Sequence, residues 1–170
     1  NSSGEMAMHQ IFYLEQYAVS EIKAKPKPAG IELRECVVKQ WMFNRFLYQW
    51  VGSLWQWHDK LPWSDQEWQR YAESDDLRTW VAYVEGSPAG YFELKRYPDY
   101  VVQIMYFGLG EAFLNKGLGG YLLTQALQCA WGWRARRVDV NTCSLDHPSA
   151  LKNYLARGMT LARTETVAES

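Results

Sequence analysis

One run of residues restricts the fold more than any other: Phe107-Gly108-Leu109-Gly110-Glu111-Ala112-Phe113-Leu114-Asn115-Lys116-Gly117-Leu118-Gly119-Gly120. The residues before it, Val101 to Phe107, are β-branched and aromatic, as strands are. From Leu118 to about Arg134 the apolar residues recur at helical spacing, with Leu118, Leu122, Ala126 and Ala130 on one row and Leu123, Leu127 and Trp131 on the next. A face that broad suits a helix packed on a sheet. A strand must therefore turn into a helix through glycine. Glycine admits φ > 0 and a close approach to bare backbone. The first helical turn offers unpaired N–H groups and the positive end of the dipole. Such a turn suits a phosphate or diphosphate. It is not the dinucleotide fingerprint, because Leu122 stands where the third glycine belongs. It is not a P-loop either, because Lys116 precedes Gly117 where that motif has Gly-Lys-Ser/Thr. Taken alone, the tract fits an ordinary tight turn equally well.

With 170 residues, 48% hydrophobic and 22% charged, the chain reads as one globular domain with a proper core. A formal charge of −1 leaves no basic surplus for a nucleic-acid backbone. No apolar run approaches membrane-spanning length. The polar start shows no leader pattern, and residues 1–8 are expected to be a flexible or vector-derived tail. Cys36, Cys129 and Cys143 are odd in number and far apart, which points to a reducing cytoplasm. No Cys/His pair has zinc spacing, so no metal is expected. Nine tryptophans stand out, six of them between Trp41 and Trp68.

In chain order, His9 to Ala18 reads as a strand and Lys23 to Gly30 as an exposed loop. Ile31 to Arg34 is a short extended piece. A helix is expected from about Val37, through Trp41, Tyr48 and Val51. Ser64-Asp65-Gln66-Glu67 fits a capping box opening a second helix, with Trp68, Tyr71 and Ala72 inward. Thr79 to Val84, Ala89 to Lys95 and Val101 to Phe107 form an antiparallel meander, interrupted at Gly108 and Gly110 by a bulge or strand end. After the long helix, Val138 to Asn141 is a strand reached by a parallel crossover. A helix opening near Asp146-His147-Pro148 and stopping at Gly158 leads to a closing strand, Met159 to Val167. The class is α/β with a mixed sheet, in the order β-α-α-β-β-β-α-β-α-β.

Two linked patterns in this order resemble the GNAT superfamily of N-acetyltransferases. Leu114-Asn115-Lys116-Gly117-Leu118-Gly119 follows that family's acyl-CoA loop, Gln/Arg-x-x-Gly-x-Gly/Ala, with Leu114 in place of Gln or Arg. His147 to Met159 follows Asn-x-x-Ala-x-x-x-Tyr-x-x-x-Gly-Phe at Ala150, Tyr154 and Gly158, with His147 for Asn and Met159 for Phe. The closing region has one strand where many members have two. The resemblance covers the last half of the chain.

What the resemblance implies is an enzyme that moves an acetyl group from acetyl-CoA directly to a primary amine. Phe107, Gly108 and Leu109 would pair with the pantetheine amides. Backbone from Leu114 through Asn115, Lys116, Gly117, Leu118 and Gly119 to Gly120 would hold the diphosphate, with His147 and Tyr154 also at the cofactor. Lys116 either adds a charge or is a solvated lysine. Acyl transfer needs an oxyanion donor, for which an N–H around Gly108 or Leu109 is the natural choice. It also needs an acid for the departing thiolate, the family's role for Tyr154. Where some members carry a basic glutamate this chain has Gln103, so Glu93 on the neighbouring strand is the candidate base, directly or through water. Glu111 is a further carboxylate near the loop. The alternative on the same fold is a non-catalytic acyl-CoA sensor or interaction module. A thiol nucleophile built from Cys143, Asp146 and His147 is a rival from another class. The tryptophans line either an aromatic acceptor pocket or the core. The expected partner is a small-molecule or peptide amine; a C-terminal edge strand allows a homodimer.

Overall fold

A computed structural model describes residues 7–168. Most of the expected tail lies outside the described residues, but Met8 belongs to the first strand. The strands are β1 (Met8–Gln16), β2 (Ile31–Glu35), β3 (Leu77–Val84), β4 (Ser87–Arg96), β5 (Val101–Leu109), β6 (Arg137–Cys143) and β7 (Thr160–Ala168). The helices are α1 (Trp41–Gly52), α2 (Asp65–Ala72), α3 (Gly119–Gly132) and α4 (Ala150–Ala156). All seven strands form one mixed sheet in the order β2-β3-β4-β5-β6-β1-β7. The expected order thus gains one strand, β2, which pairs with β3 at the sheet edge and buries Ile31.

Each face of the sheet has its own core. On one face, Leu122, Leu123, Ala126, Leu127 and Ala130 of α3 pack on Phe92, Leu94, Val102, Ile104, Val138 and Val140, with Tyr154 of α4 beside them. On the other, Leu47 and Val51 of α1 pack on Val81 and Tyr91. Successive strand side chains point to opposite faces, so Tyr91 and Phe92 serve different cores.

Local chemistry explains the boundaries. The Ser64 capping box forms: Glu67 N donates to Ser64 Oγ (3.2 Å), and Ser64 N donates to Glu67 Oε1 (3.3 Å). α1 begins at Trp41 and not at Val37, which is 74% exposed and precedes the helix. The start is fixed from elsewhere, because Trp41 N donates to the Glu73 carboxylate at the end of α2 (3.2 Å). β3 and β4 are joined by Glu85-Gly86, both at positive φ (51° and 83°), as a two-residue hairpin turn requires.

Two features position the site. β5 and β6 pair in parallel only from Val101↔Arg137 to Ile104↔Val140, and then part. The bulge expected at Gly108 falls instead at Met105, which has no partner between the pairs Leu94↔Ile104 and Glu93↔Tyr106. Gly108 and Leu109 remain paired with β4. The second feature is β1, which enters between β6 and β7 and pairs antiparallel with both. The last two strands of the chain, β6 and β7, are thus bridged by its first.

No helix among the described residues is long and apolar enough to cross a membrane.

Candidate active site

Where β5 leaves β6, the sheet opens into a cleft of about 1050 Å³. Beyond Ile104 the backbone of β5 on its β6 side has no strand partner, so its polar groups face the opening. Phe107, Gly108 and Leu109 line one wall. The glycine turn lines the end, through Leu114, Asn115, Gly117, Leu118, Gly119 and Gly120. Asn115 (φ 60°) and Gly117 (φ 76°) take the left-handed conformation that reverses the chain before α3. The first bond in the helical pattern is Leu122 N to Leu118 O (3.0 Å), which leaves the earlier amides of the turn without helical partners. Asn153 of α4 fixes the turn from the side, its Nδ2 donating to Gly119 O (3.1 Å). Lys116 alone among the run from Leu114 to Gly120 is absent from the cleft wall; it is exposed on the surface.

Tyr154 also lines the cleft, its ring packed beside that of Phe107 with centroids 6.1 Å apart. It is 5% exposed. Burial, and then the Asp146 carboxylate, push its phenol well above the usual tyrosine value, so it stays protonated. His147 also lines the cleft, and its Nδ1 accepts from Ser149 N (2.9 Å) just before α4. The thiol-nucleophile arrangement does not form. Burial and Asp146 push the Cys143 thiol up and away from thiolate, and His147 is engaged with Ser149.

A third wall comes from residues 55–60, after α1. Trp57 Nε1 donates to Asp146 Oδ1 (3.0 Å), and Trp55 packs edge-on against His147 (5.0 Å). The segment is thereby tied to the end of β6, spanning the mouth between the splayed strands. Asp146 is held in turn by Thr142 Oγ1 (2.5 Å) and Cys143 N (3.0 Å), both donating to Oδ2. Asp59 also lines the cleft and accepts from Tyr106 Oη (2.5 Å) and Tyr48 Oη (3.0 Å). Lys60 is 6% exposed, with its ammonium over the rings of Trp63 (4.2 Å), Tyr71 (4.6 Å) and Tyr106 (4.9 Å). Burial lowers its pKa against the pull of Asp59 and Glu93. The tryptophans therefore divide: Trp55 and Trp57 line the cleft, while Trp68 and Trp80 are core. Sequence spacing carries no sign of Asp59 as a cleft residue, nor of the tie between Trp57 and Asp146, because these residues converge only through the fold.

Glu93 does not reach the cleft, which corrects the expectation of direct contact with an acceptor. It is fully buried beneath α1 and α2, accepting from Tyr71 Oη (2.6 Å) and Asn44 Nδ2 (2.9 Å). Burial raises its pKa; Tyr71, Asn44 and Lys60 oppose that only in part. A raised carboxyl contributes stability that is full below its ordinary value of 4.5 and is lost as pH rises through the folded value. Glu93→Gln should accordingly gain stability relative to the parent between pH 4 and pH 7. Denaturant unfolding of both proteins across that range checks the sign; a parent that gains relative to the variant as pH rises contradicts it. A recess of about 320 Å³ beside α2, lined by Trp63, Arg70, Tyr71 and Lys95, shares no wall residue with the cleft.

The fold has many solved counterparts. A GCN5-related N-acetyltransferase from Kribbella flavida superposes with a TM-score of 0.67 at 18% identity, covering 93% of this chain and 56% of that one. One from Sphaerobacter thermophilus gives 0.73 at 14% identity, covering 92% and 50%. An aminoglycoside acetyltransferase from an uncultured soil metagenomic sample gives 0.63 at 14% identity, covering 83% and 94%. The chain thus spans only about half the length of the first two. No curated protein sequence matches it significantly. The model of the acetyltransferase (GNAT) family matches residues 41–159, from the start of α1 through the glycine turn and Tyr154 to Met159. The chain belongs to the GNAT family of acetyltransferases.

Proposed function

We propose that this chain transfers an acetyl group from acetyl-CoA directly to a primary amine. The observation that carries this reading is the parting of β5 from β6, with the glycine turn at one end of the opening and the Tyr154 phenol in its wall. The diphosphate lies on the amides of residues 115–120, where the dipole of α3 favours negative charge. The pantetheine arm runs along the free edge of Phe107, Gly108 and Leu109 and pairs with it as a strand would. The acceptor enters from the side of Trp57 and Tyr106.

The chemistry follows from the charges that appear. An alkylamine has a pKa of about 10 and must lose a proton before it attacks the thioester carbon. Asp59 receives that proton through water, because its carboxylate lines the cleft and its side chain is 64% exposed. The carbonyl oxygen becomes an oxyanion, and a main-chain N–H near Gly108 or Leu109 stabilises it. The C–S bond then breaks, and Tyr154 donates its proton to the sulfur. Incubation with acetyl-CoA and a panel of amines, following free coenzyme A thiol, tests the reading. Amine-dependent thiol release supports it. Tight coenzyme A binding without turnover on any amine favours the non-catalytic sensor.

A further inference from the structure

The phosphate end of the cleft has a second wall, built by the N-terminal part of the chain. After β1 the chain makes a single 3-10 turn (Val19–Glu21) and crosses the ends of α3 and α4. Lys23 N donates to Arg157 O (2.9 Å), and Lys25 N donates to Thr124 Oγ1 (2.9 Å). Thr124 Oγ1 donates to Gly120 O (2.8 Å), so the arm is tied to the glycine turn itself. Two cations are thereby set over Gly120. A Cβ built on Gly120 would come 2.6 Å from Lys25 Cδ and 2.9 Å from Arg157 Nη1. Both side chains line the cleft, next to Gly117 and Gly119.

Arg157 decides the reading. Its Nε and Nη1 are buried and have no hydrogen-bond partner among the described residues. Neither Arg157 nor Lys25 is in an ion pair among those residues. A guanidinium keeps its charge at any working pH, so its buried donors call for an anionic acceptor. The glycine run brings no cation of its own to this place: Leu114 stands where the family pattern has Gln or Arg, and Lys116 is outside the cleft wall. Lys25 also lies outside the segment 41–159 that the family model matches.

We infer that Lys25 and Arg157 form a two-cation clamp for a phosphate group of the acyl donor, closing over the glycine turn from the side opposite the helix amides. The inference rests on the donor assignment above. The clamp supplies from the N-terminal arm and α4 the charge that the loop lacks. Charge-assisted bonds from a planar guanidinium to phosphate are among the stronger ones available.

Calorimetric titration separates the claims. Coenzyme A, 3′-dephospho-coenzyme A and pantetheine are each titrated into the parent, Arg157→Gln and Lys25→Ala. The expected result is a loss of roughly tenfold or more in coenzyme A affinity for each variant, with pantetheine binding unchanged. An equal loss for the dephospho ligand assigns the clamp to the diphosphate; a loss confined to coenzyme A assigns it to the 3′-phosphate. Either outcome supports the clamp. Coenzyme A affinities in both variants within about twofold of the parent's overturn it while the donor assignment stands. A parent that binds no coenzyme A overturns the donor assignment and the clamp together. Lys25 is exposed, so its variant keeps the test available should Arg157→Gln fold poorly.

Discussion

Tyr154→Phe is expected to lower kcat by about 10²- to 10⁴-fold, the usual range for loss of a positioned acid, with coenzyme A affinity within about twofold of the parent. The ring packs in the core beside Phe107, and phenylalanine keeps that packing. Only the hydroxyl is lost, and the hydroxyl matters only when the thiolate leaves. Because burial and Asp146 hold the phenol protonated, the parent should show no fall in rate attributable to Tyr154 between neutral pH and pH ~10. Stopped-flow acetyl transfer together with equilibrium binding reads both quantities. A variant that keeps the parent's kcat removes Tyr154 from the chemistry and leaves it a packing residue.

Gly158→Ala is expected to destabilise the fold by roughly 2–5 kcal/mol, combining left-handed backbone strain with overpacking. Gly158 has φ +100°, and a Cβ there would collide with the backbone carbonyl of Glu21. That carbonyl belongs to the arm that crosses α3 and α4, so relief of the clash must move either the arm or the end of α4. For a chain of this length the loss corresponds to a fall in Tm of roughly 5–15 °C. Calorimetric melting reads it, and an unchanged Tm would show that the arm does not press on α4. The same displacement would carry Lys25 away from Gly120, so a surviving folded fraction should also bind coenzyme A more weakly.

Features encoded within a few residues were legible in the sequence. The Ser64 capping box and the two apolar rows of α3 each depend on neighbours in the chain, and each forms as expected; the hairpin between β3 and β4 also forms, with Ser87 and Pro88 paired in β4 and only Glu85-Gly86 left in the turn. The glycine turn was legible for the same reason. Strand partners were not. The alternation in β1 marks a strand but carries no information about which edge it joins, so its insertion between β6 and β7 had no signal. The bulge shows the same limit: glycine marks Gly108 and Gly110, yet the register slips at Met105, where β5 begins to bend away from β6.

The site divides along the same line. The residues expected at the cofactor come from the end of β5 and two short motifs, and they line one cleft, apart from Lys116. The strand of Glu93 is adjacent to β5, but adjacency carries no information that Asn44 and Tyr71 enclose its carboxylate. Asp59 and Trp57 sit in a connection without periodicity, and long-range contacts, Trp57 to Asp146 and Tyr106 to Asp59, hold them at the cleft. Lys25 and Arg157 are 132 positions apart, one in a proline-broken loop and one beside the final glycine of the second motif.

The central claim is that the opening between β5 and β6 holds coenzyme A with its diphosphate on the glycine turn and its sulfur at Tyr154. A crystal structure of the protein with coenzyme A tests it most directly. The predicted result is diphosphate density within hydrogen-bond distance of the amides of residues 115–120, pantetheine alongside Phe107 to Leu109, and the sulfur in reach of the Tyr154 hydroxyl. Coenzyme A bound elsewhere, or a turn whose amides are capped by the protein's own side chains, would contradict it.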